Sequence, residues 1–312
     1  MNLIDAYRYL AALEQHRHFG RAAAACHITQ PALSNALRAL EEHYEVAIVR
    51  RGRLYEGLTP EGDQVLATAH RVLHEQELLL QELRGSADAP RGRLVIGTVP
   101  TAMPIAARFA ARLVERHPGL LPQVRSLSSQ EIEQGLDALA LDLGLGYTER
   151  ASARLQKIPQ YVERYYLLQR GKKPARTLRF GAPLTWADAA RRPLAMLSPE
   201  MHNRVILDAV FGEIGASVQP VIETNSVLAL LVAVQAGSVA AVLPGALVST
   251  VAMQGGLEAL PLIQPDTLTP IGLMTAIGAR PSRALFAALA LAQDEAWLAH
   301  ARAHSGALAA AA

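Results

Sequence analysis

The distribution of apolar and polar residues divides the chain into three regions. In residues 1–58, short stretches with helical periodicity alternate with turn signals. Residues 59–86 form one long amphipathic stretch, which ends in a linker of small residues and proline. From residue 91 onward, short β-like runs alternate with helical patterns, and this alternation predicts an α/β fold with a mostly parallel sheet.

The first region predicts a short helix, a tight turn and a second helix. The turn ends at Thr29, an N-cap residue, and Pro31 fits a first helical turn, so the second helix is expected from about Gln30 to Glu42. Its core-facing side carries leucines at intervals of four and three, namely Leu33, Leu37 and Leu40. Its opposite side is polar with one cation and consists of Gln30, Pro31, Ser34, Asn35 and Arg38.

That polar side suits the major groove of DNA, because a helix fits the groove, Gln and Asn pair with adenine edges, and Arg pairs with guanine. The solvent-exposed face of a small helical domain would show the same pattern. Residues 47–59 follow as two short strands around a glycine-containing turn. The turn carries Arg50, Arg51 and Arg53, which predicts a cationic wing for the DNA backbone or the minor groove.

Three segments of this part of the chain resemble the LysR-type transcriptional regulators: residues 19–23 (FGRAA), 28–41 (ITQPALSNALRALE) and 58–62 (LTPEG). The chain departs from the family pattern at Ile48-Val49-Arg50, where members usually have Leu-Phe before an arginine. The resemblance implies a winged helix-turn-helix domain at residues 1–58 that binds double-stranded operator or promoter DNA. Thr29 would then hold a phosphate beside the base-reading residues.

The long amphipathic stretch predicts one helix with a packing seam. Thr59 and Pro60 form a strong start signal, and residues 59–90 are assigned to a dimerisation linker helix and hinge. The seam has helical spacing and consists of Val65, Ala69, Val72, Leu79 and Leu83. We infer that two helices pair along it, and the resemblance implies the same, with homodimers assembling into homotetramers. Packing within the chain on the α/β region is the alternative.

Two series of strands and helices in the third region predict two α/β subdomains. The family resemblance extends over this region and implies a periplasmic-binding-protein-like effector domain at residues 91–302. Its first subdomain would comprise 91–162 and 268–300, its second 163–267, and residues 303–312 would be a flexible tail.

Ligands of open α/β sheets bind beyond the carboxyl ends of the strands, against helix N-termini. The residues at those positions are Thr98, Pro100, Thr101, Ser128, Ser129, Gly146, Tyr147, Met201, His202 and Asn225. Most carry neutral hydrogen-bond donors, which suit a small anion such as a carboxylate. The alternative for each Ser, Thr or Asn is that it caps its own helix.

Composition and charge narrow the range of functions. The net charge is only +2, and residues 1–90 hold 9 Lys and Arg against 12 Asp and Glu, so DNA binding requires a local basic patch. Cys26 is the single cysteine, which excludes an intramolecular disulfide, and we expect no metal site and no cofactor. Neither a Walker lysine loop nor a G-x-S-x-G elbow is present, so an enzyme is not expected.

The sequence also has no apolar run long enough to span a membrane and no secretory signal pattern at its start, so we expect a cytoplasmic protein, and the family resemblance implies a bacterial one. Together these features predict a DNA-binding regulator of transcription with a small, anionic effector between two α/β subdomains. Two other classes share the α/β architecture: a solute-binding protein for transport and an α/β enzyme.

Overall fold

A computed structural model describes residues 2–51, 55–83, 90–278 and 280–308, with the side chains of residue 51 and residues 81–83 left aside. The described residues form two compact units, one drawn from residues 1–88 with 134–141 and the other from 89–133 with 142–312. The first unit contains α1 (Leu3–His16), α2 (Phe19–Ala25), α3 (Gln30–Tyr44), β1 (Val49–Arg51), β2 (Tyr55–Leu58) and α4 (Pro60–Leu83).

The first unit is built around helices α1 to α3 and the start of α4. Leu10, Leu13, Leu33 and Leu40 are completely buried in one cluster, and each fully buried leucine contributes roughly 1.5–3 kcal/mol to stability. The helix caps follow the sequence signals: the Thr29 hydroxyl accepts a hydrogen bond from Ala32 N–H at 3.3 Å, and Thr59 accepts from Gly62 N–H at 2.9 Å. The local signals therefore set the helix boundaries here.

Part of the predicted dimerisation seam of helix α4 packs against the chain's own core. Ala69 is completely buried, and Val65 and Val72 pack with it against the apolar cluster of the same unit. These three residues therefore contribute to the core of their own chain, since α4 packs along α1. Leu79 is 52% exposed, and the side chain of Leu83 lies outside the described residues.

The second unit contains a first sheet with strands β3 (Gly92–Thr98), β4 (Leu120–Ser126), β5 (Leu143–Tyr147), β6 (Leu155–Glu163) and β14 (Thr269–Ala276). Their order is β4-β3-β5-β14-β6. A short 3₁₀ turn at Pro100–Ala102 and helix α5 (Met103–Arg116) follow β3, and α6 (Ser129–Asp137) follows β4. Helices α11 (Arg283–Ala292) and α12 (Glu295–Ala303) come after β14.

A second sheet has the order β12-β7-β13-β8, and β9 also pairs with β13. Its strands are β7 (Tyr165–Arg170), β8 (Arg179–Phe180), β9 (Leu184–Thr185), β12 (Ala241–Pro244) and β13 (Leu257–Ile263). Strands β10 (Ala195–Leu197) and β11 (Ile222–Thr224) form a separate parallel pair. The accompanying helices are α7 (Trp186–Ala190), α8 (His202–Glu213), α9 (Val227–Ala236) and α10 (Gly245–Val248).

The expectation of a mostly parallel sheet is wrong, because both sheets are mixed. Strand β14 is antiparallel to β5 and β6, and β7 is antiparallel to β12 and β13. The chain crosses between the sheets twice, from β6 directly into β7 and from β13 into β14. Such strands do not need the helical crossover that parallel neighbours require.

The described part of the expected flexible tail is packed. Ser305 is completely buried, and its hydroxyl donates to the Ala301 carbonyl at 2.7 Å. The Tyr166 hydroxyl donates to the Gly306 carbonyl at 3.1 Å and accepts from Leu308 N–H at 2.6 Å. Residues 303–308 are therefore fixed to β7, and residues 309–312 lie outside the described part of the chain.

Candidate functional site

Helix α3 presents a polar face to solvent. Gln30, Pro31, Asn35 and Arg38 are exposed and Ser34 is half-buried, while the leucines of the opposite side are in the core. The Thr29 hydroxyl, which caps the helix, is exposed at the start of this face. A hydroxyl that accepts from a backbone N–H keeps its own proton for a further acceptor.

The predicted wing is present as an antiparallel pair, with Val49 opposite Leu58 and residue 51 opposite Tyr55. Arg50 is exposed on β1. It also lines a groove of about 370 Å³ together with Arg17, Glu14 and Asp63. The side chain of Arg51 and all of Arg53 lie outside the described residues.

A cleft of about 320 Å³ lies in the second unit. Eight of the ten predicted effector residues line it: Pro100, Thr101, Ser128, Ser129, Tyr147, Met201, His202 and Asn225. Six further residues that were not predicted also line it: Val99, Ser126, Leu127, Glu131, Glu200 and Asn203. The lining residues follow strands of the first sheet and the parallel pair β10–β11, as expected for an α/β ligand site.

Two predicted residues do not line the cleft. Thr98 is completely buried, and its hydroxyl donates to the Val99 carbonyl at 3.2 Å. Gly146 is buried in β5, and a Cβ atom at this position would lie 3.1 Å from Cγ1 of Val99. Both residues lie next to Val99, which lines the cleft.

An aromatic contact crosses the cleft. The rings of Tyr147 on β5 and His202 on α8 lie with centroids 4.3 Å apart and planes inclined by 36°. The Tyr147 hydroxyl lies 3.0 Å from the Thr101 hydroxyl, and either group can donate. Burial, assisted by the charge of Arg150, lowers the pKa of His202, and burial raises the pKa of Tyr147 to about 12. Both rings are therefore neutral at pH 7.

Some of the polar lining groups are occupied by helix capping. The Ser128 hydroxyl accepts from Glu131 N–H at 3.2 Å, and Glu131 Oε2 accepts from Ser128 N–H at 2.8 Å. This reciprocal arrangement is a capping box. The capping alternative therefore holds for Ser128, and the S-x-x-E spacing of residues 128–131 was the signal that could have placed Glu131 beside the cleft.

Other polar lining groups are without regular partners. The side-chain amide nitrogen of Asn203 and the hydroxyl of Ser129 are buried and make no regular hydrogen bond to any described residue. Asn203 is 4% exposed. Met201, the N-cap of α8, makes no side-chain cap hydrogen bond. Buried polar groups without a partner are costly, so these groups indicate a binding position for an acceptor.

A buried carboxyl lies where the chain crosses between the sheets. Glu163, the last residue of β6, is 2% exposed and pairs in register with Thr269 of β14. Its Oε2 accepts a long hydrogen bond of 3.5 Å from Ala246 N–H, while Oε1 and the Tyr161 hydroxyl make no regular hydrogen bond to a described residue. Burial raises the pKa of Glu163 to about 8.

Neither a metal centre nor a membrane span is found in the described ranges. No group of three or more His, Cys, Asp or Glu side chains is placed there to hold a metal ion. No helix in these ranges is both long enough and apolar enough to cross a membrane.

Two family models match the chain. Residues 4–63 match "Bacterial regulatory helix-turn-helix protein, lysR family", and residues 87–297 match "LysR substrate binding domain". The first match contains α3 with its exposed face, and the second contains the whole cleft lining.

Known proteins resemble the chain over nearly its full length. The DNA-binding transcriptional dual regulator OxyR of Escherichia coli (strain K12) is 29% identical over 299 residues, which are 93% of this chain and 94% of the relative. The hydrogen peroxide-inducible genes activator of Dickeya chrysanthemi is 27% identical, over 88% of this chain and 89% of the relative.

Solved structures show the same fold. A full-length OxyR variant from Pseudomonas aeruginosa has a TM-score of 0.66 at 22% identity, and covers 91% of this chain and 95% of its own. CbnR in complex with its target DNA has a TM-score of 0.65 at 18% identity, and covers 96% of this chain and 99% of its own.

Proposed function

Because the chain belongs to the LysR family of DNA-binding transcriptional regulators and contains the family's effector-binding domain, we propose that a small molecule in the cleft controls how it acts on DNA. The observation that carries this function is the division of α3 into two sides. Its leucines are buried in the first unit, while its polar residues are exposed and ready for an external partner.

In this proposal, α3 lies in the major groove of double-stranded DNA. Gln30 and Asn35 pair with adenine edges, Arg38 with guanine, and Pro31 and Ser34 allow a close approach at the first turn. Thr29 donates its free hydroxyl proton to a phosphate. Arg50, Arg51 and Arg53 of the wing hold the backbone or the minor groove.

The test is replacement of Arg38 by Ala in the full chain. Because Arg38 would read a base, sequence-specific binding should fall by about 1–3 kcal/mol, while non-specific binding changes much less. Gel-shift titrations on the DNA beside the gene and on scrambled DNA, at fixed salt, measure both. Equal losses on the two DNAs would contradict the base-reading role. Arg302→Ala in the second unit serves as the matched control.

Control by an effector would act through the two sides of the cleft, which are the first sheet and the pair β10–β11 with helix α8. A ligand that contacts both Tyr147 on one side and His202 on the other favours the closed arrangement over the open one. We propose that the protein binds DNA as a homodimer that pairs into a homotetramer, so that closure changes the spacing of the DNA-binding domains and the bending of the DNA. The exposed part of α4 around Leu79 is the proposed contact between helices.

Several relatives are named as activators of hydrogen peroxide-inducible genes. This chain has only one cysteine, Cys26, at the end of α2 in the helix-turn-helix region. Burial raises the pKa of the Cys26 thiol, which makes it less reactive. We propose that the effector binds non-covalently and that no disulfide within the chain acts as the switch.

The peroxide question has a direct test. Purified wild-type protein and Cys26→Ser should both keep their DNA footprint unchanged after treatment with hydrogen peroxide. A footprint that changes in the wild-type protein and not in the variant would show a thiol switch.

The family is a class of transcriptional regulators, and we propose further that the chain turns over no substrate and works in the bacterial cytoplasm.

A further inference from the structure

We infer, resting on the proposed function, that the effector is a small zwitterion of the amino-acid type, with its carboxylate at the N-terminus of α8 and its ammonium group at the acidic rim of the cleft. This assigns two charges to the ligand instead of the single negative charge that the sequence indicates. It follows from the two different kinds of polar group that the cleft brings together.

The carboxylate position is formed by unused donors. The first intrahelical hydrogen bond of α8 runs from Val205 N–H to the Met201 carbonyl at 3.2 Å, so the amides of residues 202–204 precede it and point out of the helix end. The buried amide nitrogen of Asn203 makes no hydrogen bond of regular geometry, although the Asn203 side chain interacts with the Tyr147 hydroxyl, and the buried hydroxyl of Ser129 has no regular partner among the described residues. Backbone and side-chain donors at a helix N-terminus together favour a carboxylate.

The ammonium position is formed by two carboxylates. Glu131 and Glu200 line the cleft and are exposed at its rim. Of the described residues that line it, none is Lys or Arg. One oxygen of Glu131 caps its helix through Ser128 N–H, and the other is left for a ligand. An ionised carboxylate is an acceptor only, so it favours a cationic donor.

These charges distinguish a zwitterion from a simple acid. An anion without a compensating positive group would bring a third negative charge toward Glu131 and Glu200, and like charges repel. His202 is held neutral and does not offset this repulsion, and Arg150, whose charge acts on His202, is not among the residues that line the cleft. Val99, Leu127 and Met201 add apolar surface, so the side chain of the ligand is expected to be uncharged, and the 320 Å³ of the cleft accommodate a molecule of this size.

The experiment uses the full chain and the twenty proteinogenic amino acids as probes in thermal-shift and calorimetric titrations. At least one amino acid with an uncharged side chain should raise the melting temperature. Its deaminated carboxylate, which keeps the side chain and lacks the ammonium group, should bind at least about tenfold more weakly, which corresponds to about 1.4 kcal/mol. Equal affinity for the two compounds, or no binding of any amino acid, would overturn the zwitterion.

Two kinds of variant identify the two ends of the ligand. Glu131→Gln and Glu200→Gln should weaken the binding of the amino acid. The affinity for the deaminated carboxylate should stay unchanged or increase. Asn203→Asp should weaken the binding of both compounds, because it replaces a hydrogen-bond donor by a negative charge. Glu133→Gln, on the same helix as Glu131 and outside the cleft lining, is the matched control and should bind like the wild type. Losses that are equal for all carboxyl variants would contradict the placement.

Footprinting on the DNA beside the gene separates this inference from the proposed function. If the low-molecular-weight fraction of a cell extract alters the footprint while no amino acid does, the regulator function stands and the zwitterion is wrong. If the full chain shows no preference for any of this DNA over scrambled DNA, the proposed function itself fails. A footprint altered by the amino acid that binds in calorimetry supports both.

Discussion

The buried carboxyl of Glu163 makes the stability of the effector-binding unit depend on pH. Its surroundings are Tyr147, Tyr161 and Tyr165, all of them buried, and no cation is among the causes of its pKa shift. The neutral form is therefore favoured in the folded protein, because a buried charge without a cationic partner is costly.

The size of the effect follows from the pKa. Burial raises it from an ordinary value of 4.5 to about 8, and each unit corresponds to about 1.4 kcal/mol. Between these values the folded protein holds a proton that the unfolded chain has lost, so stability falls as the pH rises. The loss is about 2–3 kcal/mol from pH 5.5 to 7.5, and about 5 kcal/mol in total from below pH 4.5 to well above pH 8.

Glu163→Gln removes the titration and keeps the shape of the side chain. Relative to the wild type, the free energy of unfolding of the variant should rise by about 2–3 kcal/mol between pH 5.5 and 7.5. Urea unfolding followed by tryptophan fluorescence measures it, because Trp186 and Trp297 are the only tryptophans and both lie in this unit. Other titrating groups are common to both proteins and cancel.

A second variant separates ionisation from hydrogen bonding. Glu163→Leu cannot ionise or donate, so its absolute stability will differ, but its dependence on pH should match that of Glu163→Gln. If the wild-type curve runs parallel to the curves of both variants over pH 5.5–8.5, the carboxyl is not held neutral and the reasoning is refuted.

Two further predictions concern the first unit. Leu79→Lys should weaken dimerisation by about two orders of magnitude or more in sedimentation equilibrium, since each of two paired leucines contributes roughly 1.5–3 kcal/mol on burial. Gln64→Lys adds the same charge at an exposed position of α4 as a control, and an unchanged dimer would exclude Leu79 from the interface. Gly62→Ala should destabilise the unit by about 1–3 kcal/mol in circular-dichroism melts, because a Cβ would lie 2.1 Å from the Ile48 carbonyl oxygen. Gly212→Ala is the control and should not destabilise the protein, because a Cβ at this position would face open space.

The sequence predicts most of the first unit because its signals are local. Caps such as Thr29 and Thr59 sit next to the helices that they begin, and the leucines of α3 repeat at helical spacing. Strand β6, which leads into the first crossing, lacks such a local signal. In β6, Lys157 and Gln156 interrupt the apolar pattern, and Gln160 is buried through long-range hydrogen bonds to α11 and α12. Burial of this kind is set by tertiary contacts that alternation along the chain does not report.

The cleft residues also divide into those that a local sequence signal predicts and those that only tertiary contacts define. Positions just after a strand could be predicted, since the carboxyl ends of strands in an α/β sheet collect the ligand. Glu131 and Glu200 are acceptors and so fall outside a prediction based on neutral donors. No sequence pattern marks Asn203 as a buried amide without a regular partner. That property arises only where α8 meets Tyr147 across the cleft.

Tyr147 also connects the cleft with the buried carboxyl. Its ring stacks on His202, and its hydroxyl contacts Thr101 in the lining. On the other side it belongs to the tyrosines around Glu163, where β6 crosses into β7. A ligand that shifts Tyr147 relative to His202 would alter the surroundings of Glu163 and with them its proton affinity. Effector binding and proton binding are then linked, and linkage is reciprocal. The affinity for the effector should therefore vary with pH between about 7 and 9 in the wild type, and calorimetric titrations of Glu163→Gln should show that this variation is lost.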